Sequence, residues 1–392
     1  MRATVEATVG HKRGNTSHVG PRKWVRRCTA LAGAVWLGLA CGEAVAPDPL
    51  VIEVQGRLER SALVTLRASF EGRQLADSEV TWSASPVGAV SLLPGQQAVF
   101  HLAGPIRLTV TSAYGTGAYD AQVLVPPTIV FELLRDGNRD IYRAALDGGD
   151  TARLTTSPAE DGDPTVAGDS IVFVSYRDGN AELYATSTSG GTPRRLTTTA
   201  VTEAAPVLSS NGTRLAYTRS DSGVPKLWIS ASDGSNAARV TGSFGFGGSI
   251  EASPTWAPAG DQLAFVSTSE GTADVFLYSL ATGNFSPLVP DSLSSAEVEP
   301  AWSPDGAWVA FATNRSGDTE IYMLRVSTGA VVRLTDRVGP DGQPTWTKDG
   351  RLVYTAWTDG IPELRWMDPN SPGDVWSIDV GPGVPGHPSG AN

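Results

Sequence analysis

The sequence predicts an all-β protein, a six-bladed β-propeller preceded by a small β-sandwich, and three observations predict it. A unit of four short strands recurs about every 43 residues through the C-terminal two thirds of the chain. Before it, period-two apolar alternation is broken by turn residues, the pattern of strands with one buried face. Composition agrees: 43 Gly and 27 Pro punctuate a 392-residue chain that is 41% hydrophobic and only 18% charged.

The repeat is legible strand by strand. An aliphatic pair capped by an aromatic ends at Phe131, Phe173, Tyr217, Phe265, Phe311 and Tyr354, at spacings of 42, 44, 48, 46 and 43 residues. About ten residues later comes a second strand, at Ile141-Tyr142, Leu183-Tyr184, Leu227-Trp228, Val275-Phe276, Ile321-Tyr322 and Leu364-Arg365. A third reads Arg-Leu-Thr at Arg153, Arg195 and Arg333, and Arg-Val-Thr at Arg239. A fourth, preceding the aromatic-capped strand, carries Pro254, Pro300 and Pro344 two residues before Trp256, Trp302 and Trp346, with degenerate versions at Pro164 and Pro206. Four strands per unit cannot bury both faces of one sheet, so successive units must pack face to face around an axis. Only five fourth strands are found for six units. Residues 381–392 are expected to be a flexible tail; they are the one segment left to supply the sixth, and three prolines make them a poor strand. The alternative is a three-stranded first sheet.

Trp256, Trp302 and Trp346 are read as structural: a large ring buried between sheets stabilises by roughly 3 kcal/mol or more, and its N–H can reach a neighbouring strand. Asp305 and Asp349, each followed by Gly, are read as turn residues. Arg135, Arg177 and Arg315 stand five residues before Asp140, Glu182 and Glu320 and are expected to pair with them across a hairpin on an exposed rim.

The combination Pro-x-Trp-Ser-Pro-Asp-Gly, aliphatic strand, then Glu-Ile-Tyr, best formed at residues 300–335, resembles the Pro-Asp propeller repeat of the TolB family of periplasmic translocation proteins. The resemblance covers residues 129–380. In residues 50–126, Val-Thr-Trp-Ser-Ala-Ser from Val80 and the later Ile-Arg-Leu-Thr-Val-Thr from Ile106 resemble bacterial immunoglobulin-like domains, in which Trp82 would be a core residue. Pro126-Pro127 marks the boundary, with the propeller over 127–380.

The first 41 residues read as an export signal. Basic residues 21–27 precede an uncharged run at 28–40, too short at ~1.5 Å per residue to span a ~30 Å hydrocarbon core. Gly38-Leu39-Ala40-Cys41 resembles a bacterial lipobox, with Gly38 where the family pattern prefers Leu, which makes Cys41 the expected lipid attachment site and residues 42–49 a tether; ordinary cleavage with a free Cys41 is the alternative. Residues 1–20 fit no signal, so translation is expected to start downstream, for instance at Val19. Removing residues 1–40 takes away seven basic residues and one acidic residue, leaving 23 against 40. So acidic a protein is not a nucleic-acid binder, and it would be held at a membrane by lipid and not by charge.

Catalytic signals are sparse. Beyond the signal only His101 and His387 remain, and neither a Gly-x-Ser-x-Gly elbow nor a glycine-rich phosphate loop occurs. Asp161-Gly-Asp163 and Asp147-Gly-Gly-Asp150 lack the ligand spacing of a calcium loop and read as turns. No cofactor or metal is expected. The sequence therefore points to an exported, lipid-anchored, monomeric scaffold of the cell envelope whose loops bind a protein or glycan. Phe244 and Phe246, among glycines in the longest connection, are the expected contact residues; a loop folding its own aromatics inward is the equal alternative. The rival is a polysaccharide-active enzyme with two carboxyl groups about 5–9 Å apart, one of raised pKa. A third reading is a purely architectural protein.

Overall fold

The computed structural model describes residues 3–6, 50–240, 248–289 and 295–390. The chain divides into two units, Met1–Val125 and Pro126–Asn392. Apart from one 3-10 turn at Asp77–Glu79, every regular element among the described residues is a β-strand.

In the first unit a six-stranded sheet runs in the order Ala3–Glu6, Val51–Gln55, Leu63–Phe70, Gln97–Phe100, Val90–Leu93, with Arg73–Gln74 also pairing with Leu63–Phe70; Ala3–Glu6, in the segment expected to be removed, is an edge strand whose loss leaves the other five paired. A second sheet holds Val80–Ser85, Gly104–Ser112 and Gly115–Val123. Strict alternation puts Ile52, Val54, Val64, Leu66, Leu108 and Val110 into one core cluster drawn from both sheets. Trp82 is half-buried and packs on the edge of that core.

Among the described residues, the second unit contains six four-stranded antiparallel sheets. The fifth shows the pattern: Glu297–Trp302, Trp308–Ser316, Asp318–Arg325 and Val331–Arg333, joined in chain order. In each sheet the recurrent aromatic of the second strand stands opposite the aromatic of the third: Phe131 opposite Tyr142, Phe173 opposite Tyr184, Tyr217 opposite Trp228, Phe265 opposite Phe276, and Phe311 opposite Tyr322. In the sixth sheet Arg365 takes the second place, opposite Tyr354.

The first strands of the sheets pack against one another, and we call them inner strands. They are Val384–Gly390 in the first sheet, then Asp161–Ala167, Glu203–Leu208, Glu251–Trp256, Glu297–Trp302 and Asp341–Trp346. Each touches the next, and the sixth touches the first, so they form a closed ring. Six apolar clusters fill the seams, each drawn from two successive sheets. Phe173 and Val130 share one, for example, and Ile129 shares the closing one with Val353 and Ile378.

Hydrogen bonds complete every seam between inner strands. Hydroxyls of Thr165, Thr255, Thr345 and Ser389 accept the backbone N–H of Leu208, Trp302, Gly390 and Val166 in the next sheet, at 3.1, 3.5, 3.1 and 3.3 Å. Where the equivalent residue is Val207 or Ala301, with no hydroxyl, the indole Nε1 of the next sheet's Trp256 or Trp346 donates to its carbonyl instead, at 3.1 and 3.0 Å.

The expectation of a flexible tail is therefore corrected: Val384–Gly390 pairs antiparallel with Thr128–Arg135 and supplies the inner strand of the first sheet. The prolines counted against it are no obstacle. Every inner strand carries a Pro inside a β-bulge, at Pro164, Pro206, Pro254, Pro300 and Pro344, where the missing N–H leaves no gap in the ladder. Pro388 occupies the same bulge, between the registers Val130 with Ser389 and Glu132 with Gly386. Arg135 holds the returning chain by donating from Nε to the Pro382 carbonyl (2.7 Å) and from Nη2 to that of Val380 (2.9 Å).

Candidate functional site at the ring axis

The bulge fixes what faces the axis. The residue before each inner-strand Pro has a left-handed backbone although none is glycine: Asp163 (φ 47°), Ala205 (47°), Ser253 (46°), Glu299 (54°), Gln343 (53°) and His387 (43°). Such angles cost an L-residue of order 1 kcal/mol or more and persist only where surroundings impose them. Here the imposing contacts run from sheet to sheet. Glu299 Oε2 accepts Gln343 N (2.6 Å), Gln343 Oε1 accepts His387 N (2.9 Å), and Asp163 Oδ2 accepts Ala205 N (3.5 Å). His387 Nδ1 lies 3.1 Å from Asp163 Oδ1.

Glu132, on the second strand of the first sheet, joins this group although it is buried. Its Oε1 accepts Arg139 Nη1 (2.6 Å) and its Oε2 accepts Asp163 N (3.0 Å). Two glycines make room for it: a Cβ on Gly162 would stand 2.6 Å from Glu132 Oε2, and one on Gly386 3.3 Å from Oε1. One ligand atom each from Glu132, Asp163 and His387 lies within 4.8 Å of the others. Asp161 and Asp163, expected in a turn, thus belong to an inner strand, and His387 sits beside Asp163 and not in a loose tail. No spacing rule could bring together residues 132, 163 and 387; the signal that would have done so is the recurrence of x-Pro-x at Pro388, 44 residues after Pro344.

Toward the other ends of the inner strands lies a cavity of about 620 Å³ lined by all six of them, including Thr165, Thr255, Thr345 and Ser389. Trp256, Trp302 and Trp346 line its wall while 4, 9 and 6% exposed, and Lys348 stands at its edge. Trp302 Nε1 is buried without a hydrogen-bond partner. Asp305 Oδ1 accepts Ser303 Oγ (2.6 Å) and Ala307 N (3.0 Å), which hold its pKa below the usual carboxylate value. Asp349 Oδ1 accepts Thr347 Oγ1 (2.6 Å). Both lie in turns whose glycines, Gly306 and Gly350, have φ of 70° and 85°.

Between sheets run pairs of acids, all buried except the half-buried Asp274. One belongs to the third strand of a sheet, the other begins the next inner strand: Asp140 with Asp161, Glu182 with Glu203, Asp274 with Glu297, and Glu320 with Asp341. Burial, and then the partner acid among other groups, pushes Glu203 up to about 7 and Asp341 up to about 6; Asp140 and Asp274 are raised for the same leading reason. In the third seam Lys226 replaces the first acid, with Nζ 3.4 Å from Glu251 Oε1. The expected hairpin pairs are corrected here. Asp140, Glu182 and Glu320 are 2, 0 and 2% exposed, not on a rim, and bind Arg153, Arg195 and Arg333 of the outer strand at 2.5, 2.9 and 2.9 Å. Arg177 and Arg315 turn to the inner-strand acids Asp161 and Glu297 (3.1 and 2.9 Å). The reason is register: Leu133, Ser175 and Thr313, not the arginines, stand opposite the three acids.

Cys41, Phe244 and Phe246 lie outside the described residues.

A closed ring of four-stranded antiparallel sheets whose inner strands surround an axis is a β-propeller. The family model of the TolB beta propeller domain matches residues 120–246 and 224–379, and the chain belongs to that family. The Protein TolB homolog of Chlorobium luteolum is 29% identical over 155 residues, 40% of this chain and 35% of that protein, so the match spans about a third of that relative's length. TolB from Acinetobacter baumannii superposes with a TM-score of 0.62 at 16% identity, over 80% of this chain and 83% of that one. A putative TolB from Agrobacterium tumefaciens gives 0.53 at 19% identity, over 64% and 88%. At these identities the two structures speak for the fold.

Proposed function

We propose that the protein is an exported scaffold of the cell envelope, a six-bladed propeller behind an immunoglobulin-like domain, tethered through lipid on Cys41, that recognises a protein partner with the loops of one ring face. The carrying observation is the closed ring of inner strands in a TolB-family propeller, a frame suited to presenting loops; Trp256, Trp302 and Trp346 in its cavity wall are read as packing residues. The carboxyl groups with the most raised pKa values, Glu203 and Asp341, are 0 and 2% exposed inside seams, where no polysaccharide reaches them. That disfavours the enzyme reading.

Two experiments test this reading. Cys41→Ser should move the protein from the membrane to the soluble fraction; unchanged fractionation would remove the lipid tether. Cross-linking from the ring face in envelope extract should give one saturable protein partner, weakened at least tenfold by Phe244→Ala with Phe246→Ala. Depletion of a polysaccharide with no protein captured would overturn the scaffold reading.

A further inference from the structure

We propose that Glu132, Asp163 and His387 form a binding site for a divalent transition-metal ion, and that the ion ties the returning C-terminal strand to the first two sheets. The inference does not depend on the scaffold reading.

The three donors come from three chain segments that meet only when the ring closes: Thr128–Arg135, Asp161–Ala167 and Val384–Gly390. Their ligand atoms lie within 4.8 Å of one another, and Asp163 Oδ1 is 3.1 Å from His387 Nδ1. Two ligands bound at ~2.0–2.1 Å and roughly 95–110° to each other are about 2.9–3.4 Å apart, so this pair already has the separation of adjacent ligands. The Glu132 carboxylate, within 4.8 Å of both, is the third donor that a side-chain adjustment would bring into a facial set.

The donor chemistry selects the ion. Two carboxylates and an imidazole suit Zn²⁺, Mn²⁺ or Fe²⁺, whereas Ca²⁺ takes six to eight oxygens. The Glu132 carboxylate is also oriented from behind, as ligands of a metal are, and Asp163 Oδ2 accepts Ala205 N (3.5 Å). Arg139 and the Asp163 N–H hold Glu132, which uses two of about four acceptor positions and keeps the rest. Gln343 Oε1, itself fixed by Thr355 Oγ1 (2.8 Å), holds the His387 main chain. Gly162 and Gly386 clear the flanks of the Glu132 carboxylate, a space that a Cβ on either would take. The side chains of Asp163 and His387 are 32 and 44% exposed, leaving the remaining coordination positions to water.

The competing account is that Arg139 and a protonated His387 neutralise the two acids with no ion. Metal titration separates the two. The full chain, stripped with EDTA, would be titrated with Mn²⁺, which thiols bind weakly, and with Zn²⁺, following Mn²⁺ by electron paramagnetic resonance and melting temperature with both. One saturable site is expected, with a rise in melting temperature that grows with metal concentration. Asp163→Asn and His387→Gln should each weaken binding at least tenfold, while Asp305→Asn, in a turn toward the other ends of the inner strands, leaves it unchanged. Each variant is scored by its own difference with and without metal, so a lower starting stability does not blur the result. Uptake that never saturates, or equal affinity in Asp163→Asn and His387→Gln, would overturn the site.

Discussion

Glu203 is fully buried, and its Oε2 has no hydrogen-bond partner, while Thr199 Oγ1 donates to Oε1 at 2.6 Å. Burial first, with Glu182 adding repulsion, raises its pKa to about 7 from 4.5. A carboxyl raised in the folded state favours folding while both states are protonated. That advantage is complete below the unfolded value of 4.5 and is lost as pH climbs through about 7. Glu203→Gln keeps the shape without the charge and offers an amide donor toward Glu182. It should stabilise the protein by roughly 1–3 kcal/mol at pH 8 and by almost nothing at pH 4. Urea unfolding at the two pH values measures it; equal effects at both would place the penalty outside this carboxyl. None of this was legible beforehand. The acids of the third strands were visible in the repeat, but their partners begin the next sheet's inner strand, 21 residues on for Glu182 and Glu203, and a pairwise reading of one hairpin could not see them.

At the scale of elements, the inner strand decides the fold. It combines an acid that enters the seam, a left-handed residue facing the axis, a bulged Pro, and a hydroxyl or Trp that bonds across to the neighbour. The Trp-bearing versions were readable from sequence because large aromatics recur conspicuously. The version at Val384–Gly390 was not: Pro385 stands where the acid belongs, and Gly390 where Trp belongs. Gly390 is required there, since a Cβ would run into the Trp346 backbone carbonyl. Deleting residues 381–392 should therefore strip Thr128–Arg135 of its ladder partner and open the closing seam. If this costs about 4 kcal/mol, the propeller melts roughly 8–16 °C lower. Arg135→Ala, which removes the two bonds to Val380 and Pro382 and the guanidinium lying over the Tyr142 ring, should cost about 1–3 kcal/mol. Calorimetry on both variants gives the comparison. A deletion no worse than the point substitution would show that the strand contributes little beyond its anchor.

At the scale of the whole molecule, burial is organised differently in the two units. One core cluster serves the first unit and includes no residue beyond Val123, while the six seam clusters of the second begin at Ile129. In the ring no sheet owns a core: Phe173 packs with the first sheet, Val172 with the third, and the closing cluster joins Ile129 to Val380. A sheet that loosens exposes apolar surface on both neighbours, so the ring must unfold as one cooperative block, whereas an open array could fray from its ends. A fragment of residues 126–392 should then fold by itself and melt in a single sharp transition at the temperature its block shows in the full chain. The same fragment lacking residues 381–392 should melt broadly, with its calorimetric enthalpy exceeding the van't Hoff value, because the first and sixth sheets become ends. A fragment that fails to fold would mean that the ring needs the first unit; one that stays sharp without its last strand would mean that cooperativity passes through the remaining five seams without closure.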